Sequence, residues 1–268
     1  MKRFRVLDPT SRDYVPRGVC ALAVMTKAPQ AGRVKTRLVP PLTPEEAAEL
    51  NKCFLRDTAA TISNACSGGL RPLGAATLRM HPGGDGAPLQ CRGIAVYTPV
   101  GAESAYTDIL PADFSLLPQR GDKFGERLYF AVEDLFKCGF ASVCLIDSDS
   151  PTVPAENLAE ASELLSTSED RVVLGPSDDG GYYLIGVKKL YWHLFEQIDW
   201  STERVFNQTM QRATEIGLEI KLLPTGYDVD DAASLRRLCD ELLGENAGGR
   251  VAPNTRKFLV SIAAQNKL

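Results

Sequence analysis

Residues 142–151 read SVCLIDSDSP: an apolar run, Val143 to Ile146, that ends on Asp147, Ser148 and Asp149. A short continuous apolar run of this kind marks a strand buried on both faces of a parallel sheet. In open α/β sheets, ligands gather beyond the carboxyl ends of such strands, so two carboxylates stand where a site would be. Side chains two apart on extended backbone lean to one face, which would let Asp147 and Asp149 share a hard cation such as Mg²⁺ or Mn²⁺. Without that cation, acids so crowded repel each other. The competing reading is that they solvate a strand end or help cap the next helix.

On either side of this segment the same kind of strand recurs. Val19–Met25 (VCALAVM), Ile94–Thr98 (IAVYT), Phe114–Leu117, Arg171–Gly175 (RVVLG) and Leu218–Leu223 (LEIKLL) read as strands, and Ala75–Met80 as a possible short one. Helical patterns lie between them. Thr43-Pro44-Glu45-Glu46 is a capping box with proline at the first helical position, and the helix it opens runs to about Cys66. Phe124, Leu128, Val132, Leu135 and Phe136 form one apolar stripe closed by Gly139. Further helices are expected over Pro154–Ser166, from a Ser201 cap through Ile216, over Ala232–Leu243 behind a capping Asp231, and within Val251–Leu268; Ala102–Ile109 reads as a short one. Strand and helix alternating at this spacing predict a three-layer α/β/α domain with a mostly parallel sheet. Pro176–Gly181 is a short glycine-bearing link between RVVLG and Tyr182–Val187, a hairpin-like signal that predicts an antiparallel addition to that sheet. Residues 1–17, charged and with two prolines, read as a loose leader to a single domain over 18–268.

The 268 residues carry 30 basic and 34 acidic side chains, a net charge of −4, and no basic block of the sort that tracks a nucleic-acid backbone. A polynucleotide partner is therefore not expected. Neither a spanning apolar segment nor a signal peptide is evident, which predicts a soluble, cytoplasmic protein. Seven cysteines, odd in number and never spaced C-x-x-C, point to buried thiols rather than to a disulfide framework or a zinc site.

Two loops carry the remaining chemistry. After VCALAVM comes KAPQAGRVKTRL, which sets Lys27, Arg33, Lys35 and Arg37 within eleven residues of one another at a strand end, with Gly32 and a proline keeping the loop irregular. Such a cluster suits anionic phosphate, and its cations are expected on an exposed loop where their loss leaves folding nearly intact. Walker A is excluded because Val34 stands where a glycine must precede the lysine. The alternative is a solvated basic loop. The second loop, Ser177-Asp178-Asp179-Gly180-Gly181, brings two more acids and two glycines that let backbone approach a ligand closely. A plain turn is the other possibility. His81 and His193 are read as surface and packing residues.

Taken in order, KAPQAGRVKTRL, FGERL, IDSDSPTVP, LGPSDDGGYYLIG, DWST and YDVDD resemble a family of bacterial transferases with the nucleotide-diphospho-sugar transferase (GT-A) fold. More distantly they are similar to the molybdenum-cofactor and phospholactate guanylyltransferases. The resemblance covers roughly residues 19 to 240, with KxPxxGxxKTRL and DGGYYLIG its most specific pieces. It implies that Asp149 ligates the metal, that Lys27, Lys35 and Arg37 meet nucleotide phosphates, and that the turn at Gly180 and Gly181 approaches the acceptor. With the residue reading it gives a metal-dependent transferase using a nucleotide-activated donor and a small-molecule acceptor. In it Asp149, helped by Asp147 and Asp230, holds Mg²⁺ or Mn²⁺, and Asp178 or Asp179 orients or deprotonates the acceptor hydroxyl. Glycosyl transfer from a nucleotide sugar ranks first. Nucleotidyl transfer from a nucleoside triphosphate, with pyrophosphate leaving, ranks second, because the glycine-rich opening loop of the guanylyltransferases is here reduced to Gly32. A nucleotide-binding module without turnover is the third class.

Overall fold

A computed structural model of the chain describes residues 4–11, 15–67, 90–244 and 251–265. The apolar runs form strands β1 (Arg5–Val6), β2 (Cys20–Lys27), β3 (Cys91–Thr98), β4 (Ser115–Pro118), β5 (Ser142–Ile146), β6 (Arg171–Pro176), β7 (Tyr182–Val187) and β8 (Glu219–Leu222). They make one eight-stranded sheet in the order β1-β4-β3-β2-β5-β7-β6-β8. Every pairing is parallel except the two made by β7, which runs antiparallel to β5 and to β6. The expected three-layer α/β/α fold with a hairpin addition is what forms. Helices are α1 (Pro44–Cys66), α2 (Phe124–Lys137), α3 (Ala155–Ser166), α4 (Val205–Glu215), α5 (Ala232–Leu243) and α6 (Pro253–Ala263).

Strands at the centre are apolar on both faces because helices cover both. Leu22 and Val24 of β2 pack with α1 and α3 on one side, and Ala21 and Ala23 with α2 and α4 on the other. A third apolar cluster joins the outer side of α1 to α5, α6, Tyr227 and Val229. It pins the segment after β8 against the first helix. Each fully buried leucine in these layers contributes about 1.5–3 kcal/mol. Among the described residues no helix is long and apolar enough to cross a membrane.

Helix signals in the sequence were reliable where a cap and a stripe coincide. Thr43 and Glu46 form the capping box of α1, and Asp231 accepts from the backbone N–H groups of Ala233 and Ser234 at the start of α5. Four expectations shift. Residues 1–17 are not wholly loose: Arg5–Val6 pairs with β4, and Leu7 and Val15 are buried. Ser201 does not cap a helix, since it has φ 66° and α4 begins only at Val205. Residues 103–106 form a 3₁₀ turn rather than an α-helix. Phe124, counted in the buried stripe of α2, is 51% exposed. Ala75–Met80 and His81 lie outside the described residues.

Candidate functional site

Register brings the polar loops to one edge of the sheet. Val24 of β2 lies opposite Ile146 of β5, so the basic loop and the Asp147–Asp149 segment leave adjacent strands side by side. Because β7 runs antiparallel, its first residues meet the last of β5: Leu184 pairs with Ile146, and the Asp147 N–H donates to the Tyr183 carbonyl at 2.9 Å. The turn between β6 and β7 therefore arrives at this edge too. A third segment is drawn in when the Val229 N–H donates to the Asp149 carbonyl at 3.0 Å.

Lys35 ties these pieces together. Its Nζ lies 2.9 Å from Asp149 Oδ1 and 2.7 Å from Asp230 Oδ1, and it donates to the Val229 carbonyl at 2.7 Å. The side chain is only 4% exposed, and its backbone sits in the left-handed region at φ 47°, a conformation that costs a lysine about 1 kcal/mol. Burial pulls the ammonium down, but the charges of Asp149 and Asp230 outweigh it and hold its pKa above the ordinary lysine value. The expectation of an exposed, dispensable cation thus fails for Lys35. Arg37 is exposed as expected, at 70%, with Nη1 3.7 Å from Asp230.

Asp147 and Asp149 do not share a face. Extended backbone stops at Ile146, and Asp147 turns back into its own bend, where it accepts from the N–H groups of Asp149 and Ser150 and from the Ser150 hydroxyl. Burial, then the charge of Asp149, pushes its pKa up to about 8. Asp228, not singled out beforehand, is raised to about 6 by burial and by the charges of Asp179 and Asp230. Acids here outnumber the cations that neutralise them.

Lys27, Arg33, Lys35 and Arg37 line a cleft of about 290 Å³ with Asp149 and Asp230. Buried Asn51 of α1 also lines it, with Oδ1 unpartnered. A second cavity of about 480 Å³ adjoins it, sharing Arg37 and Asp230 and reaching Asp147, Asp179, Gly181, Phe124 and Trp200. A third, about 370 Å³, holds Asp178, Asp179 and Asp228. Asp178 is held by Arg237, whose guanidinium stacks 3.8 Å from the Tyr227 ring, and only Asp179 reaches the larger cavity. Gly180 sits at φ 89°, and a Cβ there would lie 2.2 Å from the Glu203 carbonyl. The residue must be glycine for the turn to lie against residues 201–206, where the Phe206 N–H donates to the Gly180 carbonyl at 2.8 Å. His193 lines none of the three cavities and bridges Glu196 and Glu215.

Several of these residues were hidden in the sequence. Asp228 and Trp200 belong to YDVDD and DWST, motifs quoted above without a role for either residue, and Phe124 was absorbed into a helical stripe. Glu203 and Asn51 gave no signal at all.

A divalent cation fits the donor set on one condition. Mg²⁺ commonly takes one or two carboxylates and completes its shell with phosphate and water oxygens, and Asp149 with Asp230 supplies such a pair. Among the described residues no three or more His, Cys, Asp or Glu side chains are gathered to hold a metal without ligand oxygens. The Lys35 ammonium occupies the gap between the two carboxylates, so it must move for a metal to enter.

Residues 88–202 match the model of a family described as “Uncharacterized protein conserved in bacteria (DUF2064)”. No curated protein matches the chain. A solved structure from Desulfovibrio desulfuricans G20, named “putative nucleotide-diphospho-sugar transferase”, is 26% identical, covers 93% of this chain and 96% of its own, and has a TM-score of 0.75. A 4-diphosphocytidyl-2C-methyl-D-erythritol synthase from Anaerococcus prevotii DSM 20548 is 11% identical, over 85% of this chain and 96% of that one, with a TM-score of 0.50. At that identity the likeness is one of fold. The fold is that of nucleotide-diphospho-sugar transferase-like proteins, as the motifs led one to expect.

Proposed function

We propose that the chain is a transferase that takes a group from a nucleotide-activated donor, and that the group is a sugar carried on a nucleoside diphosphate. The observation that carries this reading is the meeting of two cavities at Arg37 and Asp230: a narrow cleft lined by four cations, and a larger chamber lined by Asp179 and Gly181. The diphosphate lies in the first, with Lys27, Arg33 and Arg37 as electrostatic partners and the Asn51 carboxamide within its reach. The acceptor lies in the second. Asp179, whose Oδ1 accepts from the Gly181 N–H at 2.9 Å, orients or deprotonates the acceptor hydroxyl, while Asp178 holds the turn through Arg237. A 26% identical relative bearing a nucleotide-diphospho-sugar transferase name supports the same choice.

Asp149 and Asp230 would hold Mg²⁺ or Mn²⁺, which when bound offsets charge on the diphosphate as it leaves. Lys35, displaced from between them, turns its ammonium to the phosphates. Asp147, neutral over much of the physiological range, keeps the bend that presents Asp149.

Nucleotide sugars incubated with Mg²⁺ or Mn²⁺ are expected to release nucleoside diphosphate slowly, and nucleoside triphosphates with phosphorylated acceptors to release no pyrophosphate. Pyrophosphate release would make the protein a nucleotidyltransferase instead, since the same cleft serves attack at the α-phosphate. If no nucleotide raises the melting temperature with or without metal, the nucleotide reading is refuted.

A further inference from the structure

The 480 Å³ cavity has two unlike halves. One is apolar. Leu128, Leu145 and Ile185 are nearly or fully buried beneath it, and Phe124 and Trp200 stand edge to face with centroids 5.2 Å apart. Trp200 is seated deliberately: a Cβ at Gly125 would lie 2.6 Å from its Nε1 and 2.7 Å from the Phe195 carbonyl, so only glycine at the start of α2 lets the indole in. Phe124 is 51% exposed, a large aromatic face left uncovered at a pocket mouth, which marks a surface meant for contact. The other half is acidic. Asp179, Glu203 and Asp230 line it beside the bent-back Asp147, against Arg37 alone among the cations of its lining. Asp230 is already paired with Lys35, whereas Asp179 and Glu203 form no salt bridge among the described residues.

Resting on the transferase reading above, we infer that this cavity takes an acceptor with one apolar ring face and hydroxyl groups opposite it, uncharged or cationic and bearing no phosphate. Phe124 and Trp200 are then specificity-determining residues. The volume suits one small molecule. A ring laid on the aromatic pair buries its apolar face and points its hydroxyls at Asp179, the side where a proton must be taken. A phosphorylated acceptor would set its dianion against two unpaired carboxylates, and like charges facing each other are how sites reject wrong ligands. The cations that welcome phosphate lie on the far side of Arg37, in the smaller cleft.

The test is ligand-observed NMR on the full chain with three probes, benzyl alcohol, 2-amino-1-phenylethanol and phenyl phosphate. Each is titrated alone and in the presence of Mg²⁺ and the nucleoside diphosphate that gives the largest thermal shift. The first two are expected to bind under both conditions, and phenyl phosphate about tenfold more weakly or not at all. Phe124→Ala, at a half-exposed position, should remove probe binding while the melting temperature stays near the parent's, as should Trp200→Ala with respect to binding. The double change Asp179→Asn with Glu203→Gln should bring phenyl phosphate up to the level of benzyl alcohol. Equal or tighter binding of phenyl phosphate by the parent overturns the inference. So does displacement of benzyl alcohol by the nucleotide, which would make the cavity the nucleobase site. If a nucleotide binds and no probe does, the inference alone fails; if no nucleotide binds at all, the transferase reading fails and the inference with it.

Discussion

Replacing Lys35 by methionine removes the ammonium while keeping an unbranched side chain in the same channel. Three charge-assisted contacts go, to Asp149, Asp230 and the Val229 carbonyl, all between 2.7 and 2.9 Å. Removing one member of a fully buried ion pair costs about 3–5 kcal/mol, because the orphaned charge cannot reach water. Here the two acids are 33% and 44% exposed at their side chains, so water can reclaim part of the loss, and the expected cost is about 2–3 kcal/mol. The left-handed backbone is kept, so no strain is relieved. For a chain of this size that cost is a fall of roughly 5–10 °C in melting temperature. The same substitution empties the gap between two carboxylates. Differential scanning fluorimetry with Mg²⁺ but no nucleotide should therefore stabilise the variant and leave the parent almost unmoved. A variant as stable as the parent would show that the lysine is not a structural counter-ion, and an equal response to Mg²⁺ in both proteins would show that it does not compete with metal.

Three further outcomes follow from the same geometry. Asp149→Asn should lower metal-dependent nucleotide affinity and also destabilise the metal-free protein by about 1 kcal/mol in denaturant unfolding, because it loses its pairing with Lys35; unchanged metal dependence in a binding titration would remove Asp149 from the site. Gly180→Ala must force φ 89° on a residue with a Cβ and drive that Cβ into the Glu203 carbonyl, so about 2 kcal/mol or more should be lost in denaturant unfolding, and a neutral result would mean that residues 201–206 do not lean on this turn. Asp147 holds in the folded state a proton that it gives up near 3.8 when unfolded and near 8 when folded, so its contribution to stability is greatest below that window and declines as pH rises through it. In chelator, the parent's melting temperature should fall across that window more steeply than that of Asp147→Asn; parallel curves would contradict the assignment.

Much of the fold is legible in local pattern, since the strands and capped helices that build it are each specified by a few neighbouring residues. Thr43 with Glu46, and Asp231 with Ser234, announce helices in four letters. The site is legible only as an inventory. KAPQAGRVKTRL and IDSDSP name the right loops, but nothing nearby tells Lys35 that its partner lies 195 positions away, and without that partner it reads as a solvated cation. Alternation predicted a shared face for Asp147 and Asp149, and it failed because the backbone bends where the strand ends, a choice made by hydrogen bonds to Ser150 rather than by spacing. Phe124 fits the helical period as well as any core residue, yet as the first residue of α2 it is left half exposed.

The single reversed strand, β7, has a consequence for how such a protein can be retargeted. In a wholly parallel sheet, every loop at the ligand edge also sets the start of the next helix, so lengthening one disturbs a layer of the core. Here the Ser177–Gly181 turn joins two strands directly and returns to the sheet within six residues of leaving β6, with no helix hung on it. It leans on residues 201–206, which precede and open α4, and neither piece lines the phosphate cleft, though both share the larger cavity with Arg37 of the basic loop. Exchanging these two segments together would change what the larger chamber accepts while the phosphate cleft keeps its shape. The architecture thus separates into a fixed socket and an exchangeable one, and loop grafting between proteins of this fold has a natural pair of cut sites on either side of 177–181 and 201–206.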